Sequence, residues 1–325
     1  MTPFWVALGV SLLLTSISVP LLRRASMIDR PNHRSSHVVP VPRGGGVAVM
    51  LALLVAAAIG GVLDAWPMLG PALLLSAVGL ADDWRSLSAR VRLAAQVLVG
   101  AVACAWIAAA APVGEAALPL FLLFGTVGYV GFVNAFNFMD GINGISSLHA
   151  AVAGGWFAWL GHSNDLGGLV FLGLATAGGA LGFLPPNILG RVFLGDVGSY
   201  GLGALLAGAA LAAYAGGVSV PLAIAPLVVY FADTAWVMAR RAREGKPLTE
   251  AHREHAYQRL VQQGWSHPVV ATWSAVVSGG IVLVMGALHP DHEVLAISVV
   301  VLLVAVYLAM PRLTAQAAPL RGKDA

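Results

Sequence analysis

Apolar residues in this chain neither alternate nor keep to one helical face; they fill whole segments. Eleven such runs lie near 3–22, 44–63, 66–81, 93–111, 117–133, 145–160, 167–184, 199–215, 218–238, 269–288 and 294–310. Roughly 20 residues of helix cross about 30 Å of hydrocarbon. Lipid offers the backbone no hydrogen-bond partners, so each run predicts a membrane-spanning helix. The third, fifth and sixth runs are short and are expected to tilt little or to end inside protein. The alternation of a membrane β-barrel is absent. The first run is too long for a removed signal peptide and lacks its basic start and cleavage site. The expected fold is therefore an all-α polytopic membrane protein of about eleven transmembrane helices, one domain over 1–325.

The polar intervals give the sidedness. Five of them, 23–43, 82–92, 185–198, 239–268 and 311–325, hold all 18 Lys and Arg residues. With 134–144 they form one side. The short turns of the other side carry only acidic charges: Asp64, Glu115, Asp165, Asp291 and Glu293. The positive-inside rule puts the basic side in the cytoplasm, the N-terminus outside and the C-terminus inside. Composition agrees: 58% of residues are hydrophobic and 10% charged, against roughly 25% charged in soluble domains. The single cysteine, Cys104, lies in an apolar run, so no disulfide forms within the chain and no thiolate metal site exists. Walker A, dinucleotide and nucleophile-elbow patterns are absent, and nothing points to nucleic acid.

Candidate chemistry gathers on the basic side. Asp82 and Asp83 directly follow an apolar run. Neighbours on a helix point about 100° apart, so one can meet a metal or proton while the other holds a basic side chain; the plain alternative is a solvated helix end. Arg85, Arg90 and Arg92 follow and suit phosphates or the interface. Asn134, Asn137 and Asp140 are spaced by three and share a helical face. Such oxygen-bearing groups suit Mg²⁺ or hydroxyl recognition, or simply cap helix ends. Asp196 stands between Gly195 and Gly198 at the start of a span, where it can orient a metal against a phosphate or act as a plain N-cap.

His252 and His255 also lie three apart and form a cationic lobe with Arg243, Lys246 and Arg253; with Glu254 they also resemble a transition-metal site, though the zinc-protease spacing is missing. His33, His37, Arg30, Arg34 and Arg43 extend the anion-binding lobe. Asp233, the nearest to an intramembrane charge, lies within two turns of Arg240. The sum is a patch for divalent metal and phosphate on helix ends.

These clusters, in this order, resemble the polyprenyl-phosphate N-acetylhexosamine-1-phosphate transferase (MraY/WecA) family. The matching pieces are Asp29-Arg-Pro-Asn-His33 with Pro42-Arg-Gly-Gly-Gly46, then Asp82-Asp83, Asn134-Ala-Phe-Asn-Phe-Met-Asp-Gly141, Gly195-Asp-Val-Gly-Ser199 and the histidine loop. The resemblance implies a Mg²⁺-dependent enzyme, with Mn²⁺ as a substitute. Undecaprenyl phosphate would attack the β-phosphate of a UDP-sugar, releasing UMP at the cytoplasmic face of the inner membrane.

It assigns Asp82, Asp83, Asp140 and Asp196 to catalysis, with Asp82 as base, and Asp196 with Asn137 to the metal. Asn134, Asn137, Arg34, Arg43, Arg90, Arg92, His252, Arg253 and His255 would bind substrate. The family's His-X-His-His appears here with Glu254 in its third position, closer to the WbpL-type branch that starts O-antigen synthesis. The sugar, N-acetylglucosamine or a 6-deoxy relative, stays open, as do direct displacement against a covalent intermediate and a homodimer. A lipid-phosphate transporter or flippase is the competing class; it would place polar groups at mid-membrane and on both faces.

Overall fold

The computed structural model describes residues 1–31, 39–111, 113–247 and 252–317. The helices among them are α1 (Thr2–Arg24), α2 (Gly46–Gly60), α3 (Trp66–Arg85), α4 (Ala89–Ala110), α5 (Leu118–Met139), α6 (Ile145–Ser163) and α7 (Gly167–Ile188). They continue as α8 (Gly195–Ala215), α9 (Val220–Ile224), α10 (Val228–Arg243), α11 (Ala256–Gln262), α12 (His267–Leu288) and α13 (Glu293–Ala317). A 3-10 turn over Ala225–Leu227 joins α9 to α10. Pro226 there has no N–H to continue an α-helical ladder, yet Val220–Arg243 still runs as one apolar segment.

The chain is an all-α polytopic membrane protein. Each of the eleven apolar runs is helical, and nine helical segments of the described residues are long and apolar enough to cross a membrane. The other two are α2, with 15 residues, and the less apolar α6. Two features were not expected. Residues Ile28–Asp29 (β1) and Val41–Pro42 (β2) pair antiparallel inside the 23–43 loop. The 239–268 loop folds back as α11.

Several helices outrun their apolar stretches. α3 continues to Arg85 and α5 to Met139, so Asp82, Asp83, Asn134 and Asn137 all lie on helix rather than past its end. Apolar composition marks where hydrocarbon stops, not where the hydrogen-bond ladder does.

α8 is the buried axis, packed between α3, α5 and α2. Its Gly198 meets Gly46 of α2 with no room for a Cβ on either. Large apolar residues face outward on peripheral helices, among them Leu13, Leu283 and Leu302, as a lipid-facing surface requires.

Candidate active site

The ends of α3, α5 and α8 converge with the loop that enters α2. That loop is stitched to the loop before α8: Phe193 N–H donates to the Pro42 carbonyl (2.8 Å), and Gly45 and Gly46 N–H donate to the carbonyls of Phe193 (2.9 Å) and Leu194 (2.8 Å). Gly195 takes φ +76° there, and a Cβ on it would stand 2.6 Å from Asp83 Oδ2, so only glycine fits.

Asp83 caps α8 from a different helix. Its Oδ1 accepts from Asp196 N–H (3.0 Å) and its Oδ2 from Val197 N–H (3.1 Å). Arg43 Nε donates to the same carboxylate at 2.7 Å. The first N–H groups of a helix need acceptors and favour negative charge, and Asp83 meets both demands. Asp196 consequently does not cap its own helix. Its Oδ1 accepts from Asn137 Nδ2 (2.8 Å), and its Oδ2 has Arg43 Nη2 at 3.8 Å. The side chain stays partly open, 23% exposed against 0% for Asp83. Asn137 Nδ2 also donates to Ser199 Oγ (2.9 Å), which leaves the Asn137 carbonyl oxygen for other use.

Asp82 differs from its neighbour. Its Oδ1 accepts from Leu87 N–H (2.8 Å); its Oδ2 accepts from Arg92 Nη1 and Tyr200 Oη, both at 3.1 Å. It clamps the α3–α4 turn to α8. One aspartate was expected to hold a basic side chain; here both hold an arginine. Asp140 ends α5 and takes a hydrogen bond from Ser146 Oγ (2.6 Å). Burial, opposed by that bond and reinforced by Asp196 and Asp83, pushes its carboxyl up to about 8.

Other expected residues are placed elsewhere. Asn134 Nδ2 donates to Gln96 Oε1 (2.7 Å) and the Val130 carbonyl (2.8 Å), pinning α5 to α4; spacing by three put it on the right stripe one turn too deep. Arg90 is exposed. Arg43 is no free anion binder, being held by Asp83. Arg34, with His33 and His37, lies outside the described residues.

The histidine segment also departs from expectation. Glu254 is an ion-pair hub: it accepts from Arg240 (2.6 Å) and Arg241 (2.7 Å), with Lys246 at 3.5 Å. Lys246 also pairs with Glu244 (2.6 Å), so this one lysine of the cationic lobe is neutralised from within. Burial, together with His255 and Arg241, lowers His252 to about 4, so its ring is neutral near pH 7.

His255 is buried against His252 (5.1 Å between ring centroids) and Phe138 (6.2 Å), with Nδ1 3.3 Å from Asp233 Oδ1. Asp233 thus belongs to the histidines and not to Arg240. Tyr257 Oη donates to the Phe138 carbonyl (2.8 Å), tying this segment to the end of α5 beside Asn137. Asp233 was visible in the sequence as an acid inside an apolar run, but not as a partner of His255; Tyr257, Tyr200 and Ser146 were not found, since type and spacing carried no signal for them.

The donors present suit a hard cation. Mg²⁺ is usually held by one or two carboxylates plus substrate phosphates and water. Asp196 Oδ2, the Asn137 carbonyl oxygen and the second oxygen of Asp140 are oxygens of that kind. Among the described residues no group of three or more His, Cys, Asp or Glu forms a closed cage, so any cation here would be completed by substrate. An apolar cavity of about 410 Å³ lies between α5, α8 and α10, lined in part by Phe124, Phe132, Leu211 and Phe231, away from these charges.

The chain is similar to known proteins over most of its length. Residues 65–214, from α3 to the end of α8, match glycosyl transferase family 4. The phospho-N-acetylmuramoyl-pentapeptide-transferase of a Synechococcus strain is 34% identical over 296 residues, covering 81% of this chain and 85% of its own. The decaprenyl-phosphate N-acetylglucosaminephosphotransferase of Mycobacterium tuberculosis is 29% identical over 309 residues, 80% of this chain and 76% of its own. A probable undecaprenyl-phosphate N-acetylglucosaminyl 1-phosphate transferase of Bacillus subtilis is 26% identical over 285 residues, 81% and 78%. With such identity across most of both sequences, the chain belongs to glycosyl transferase family 4.

Proposed function

We propose that this enzyme transfers an N-acetylhexosamine-1-phosphate from a UDP-sugar to undecaprenyl phosphate, releasing UMP, as the first membrane step of a cell-surface glycan such as O-antigen. One observation carries the reading. Asp83 supplies the cap of α8, which frees the Asp196 carboxylate to stand part-open among Asn137, Arg43 and the end of α5. The face is cytoplasmic on this reading, because these helix ends fall in the set of sequence intervals that holds every Lys and Arg.

Asp196, with Asn137 and Asp140, would hold Mg²⁺. When bound, that ion supplies neutralising charge to the departing phosphate. Arg43 adds a fixed positive charge beside the same carboxylates. A lipid phosphate oxygen attacks the β-phosphorus of the UDP-sugar; the bond from that phosphorus to the bridging oxygen breaks, and UMP leaves with the electron pair. A phosphate monoester loses its second proton near pH 6, so the nucleophile needs no base at neutral pH. That fits the saturated carboxylates of Asp82 and Asp83, which suit positioning of Arg92, Tyr200, Arg43 and α8 better than attack. Direct displacement follows. The apolar cavity shares α5 with Asn137 and offers a place for prenyl units. N-acetylglucosamine is the first sugar to test, since several relatives are named for it.

The test is UMP release by the detergent-purified enzyme with undecaprenyl phosphate, Mg²⁺ and a panel of UDP-sugars. Release with an N-acetylhexosamine donor, dependent on the lipid phosphate, supports the reading. No release with any donor overturns it.

A further inference from the structure

Asp233 lies on α10, fully buried in an apolar stretch. A carboxylate at that depth is costly unless its acceptors are filled. Here they are. Ala256 N–H donates to both oxygens at 3.1 Å, Tyr307 Oη donates to Oδ2 at 3.2 Å, and His255 Nδ1 lies 3.3 Å from Oδ1. Among the described residues, His255 is its ion-pair partner and no Lys or Arg reaches it.

A cap for α11 alone would be served by Ser or Asn, without a buried charge. The charge has a second effect. A ring nitrogen facing an acceptor-only carboxylate carries the hydrogen, and that fixes both tautomer and ring plane. Nε2 is then the ring's acceptor nitrogen. The ring sits against Phe138, and Tyr257 locks this segment to the same turn of α5, next to Asn137 and two residues before Asp140.

We infer that Asp233 is a positioning residue: it holds His255 with Nδ1–H turned inward and presents Nε2 to the phosphorylated donor at the end of α5. The inference rests on the proposed transferase reading. It adds a residue from the membrane interior that acts only through His255.

Two measurements decide it. Nitrogen-15 spectra of histidine-labelled enzyme in detergent, without substrate, give the His255 tautomer, the signal being assigned by its loss in His255→Gln. Protonation at Nδ1 is expected, moving to Nε2 in Asp233→Asn, whose amide still caps Ala256. A wild-type ring protonated at Nε2 alone overturns the inference, whether or not the variant folds. In turnover, Asp233→Asn should lower kcat on the order of ten- to a hundredfold, as loss of a ring-orienting partner does elsewhere, with KM changed less than about threefold. In the His255→Gln background the same change should cost less than about threefold, because the two act as a unit. Full, multiplicative loss in that background would mean a structural role and overturn it. If the wild type turns over no UDP-sugar, the transferase reading fails, while the substrate-free spectrum still decides whether Asp233 sets the His255 tautomer.

Discussion

Exchanging Asp83 for Asn separates capping from chemistry. The substitution keeps shape and one carbonyl oxygen but places an NH₂ against α8 or Arg43. In the native chain Asp83 accepts Asp196 N–H, Val197 N–H and Arg43 Nε at 3.0, 3.1 and 2.7 Å, and its side chain is fully buried. Losing one helix-end acceptor costs about 1 kcal/mol. A charge-assisted bond contributes roughly 1.5–3 kcal/mol, and the lower half applies here because Arg43 is about a third exposed and solvent screens it. The sum is about 3 kcal/mol. Thermal melting in detergent should therefore show Asp83→Asn several degrees below wild type, with turnover lost as Asp196 shifts. Asp196→Asn should melt near wild type, since that side chain caps nothing. An Asp83→Asn protein as stable as wild type, beside an unstable Asp196→Asn, would refute the assignment of the two roles.

Other expectations follow from the same contacts. Tyr200→Phe removes one of three bonds to Asp82 and should cost about 1 kcal/mol in stability, with kcat within about threefold, read by melting and UMP release. Glu254→Gln takes the nearest carboxylate from Arg240 and Arg241, leaving Arg240, among the described residues, only Glu244 at 3.9 Å; a loss of about 2 kcal/mol or more is expected, and added zinc should restore nothing in a turnover assay. His252, held at about 4 by burial and its basic neighbours, binds its proton more weakly folded than unfolded. It contributes stability above about pH 6.5 that is lost progressively as pH falls toward 4. Melting temperatures from pH 7.5 to 5 should therefore fall less in His252→Gln than in wild type.

Much of this was legible in the sequence, for reasons that differ by residue. Apolar run length gave every spanning helix, because hydrocarbon thickness leaves few alternatives. Spacing brought Asn137 to the α5 end that carries Asp140, but it could not say that Asn134, one turn earlier, meets Gln96 instead of the site. Adjacent Asp82 and Asp83 were visible as a pair; their division of labour was not, since it depends on α8 presenting its N–H groups to one and Tyr200 to the other. The histidine segment was found by composition and misjudged in charge. Glu254 draws the arginines inward, and Asp233, distant by 22 residues in sequence from His255, fixes the ring. Contacts between elements, set by packing, carry no local signature.

The most direct test of the central claim is UMP release by Asp196→Asn across a Mg²⁺ titration, with melting temperature measured on the same sample. Preorganised charge is often the largest catalytic contribution, and Asp196 offers the carboxylate left open once Asp83 has capped α8. The account predicts a protein that melts within a few degrees of wild type and has lost turnover by several powers of ten at every Mg²⁺ concentration. An Asp196→Asn enzyme that turns over normally with an unchanged Mg²⁺ requirement would contradict it.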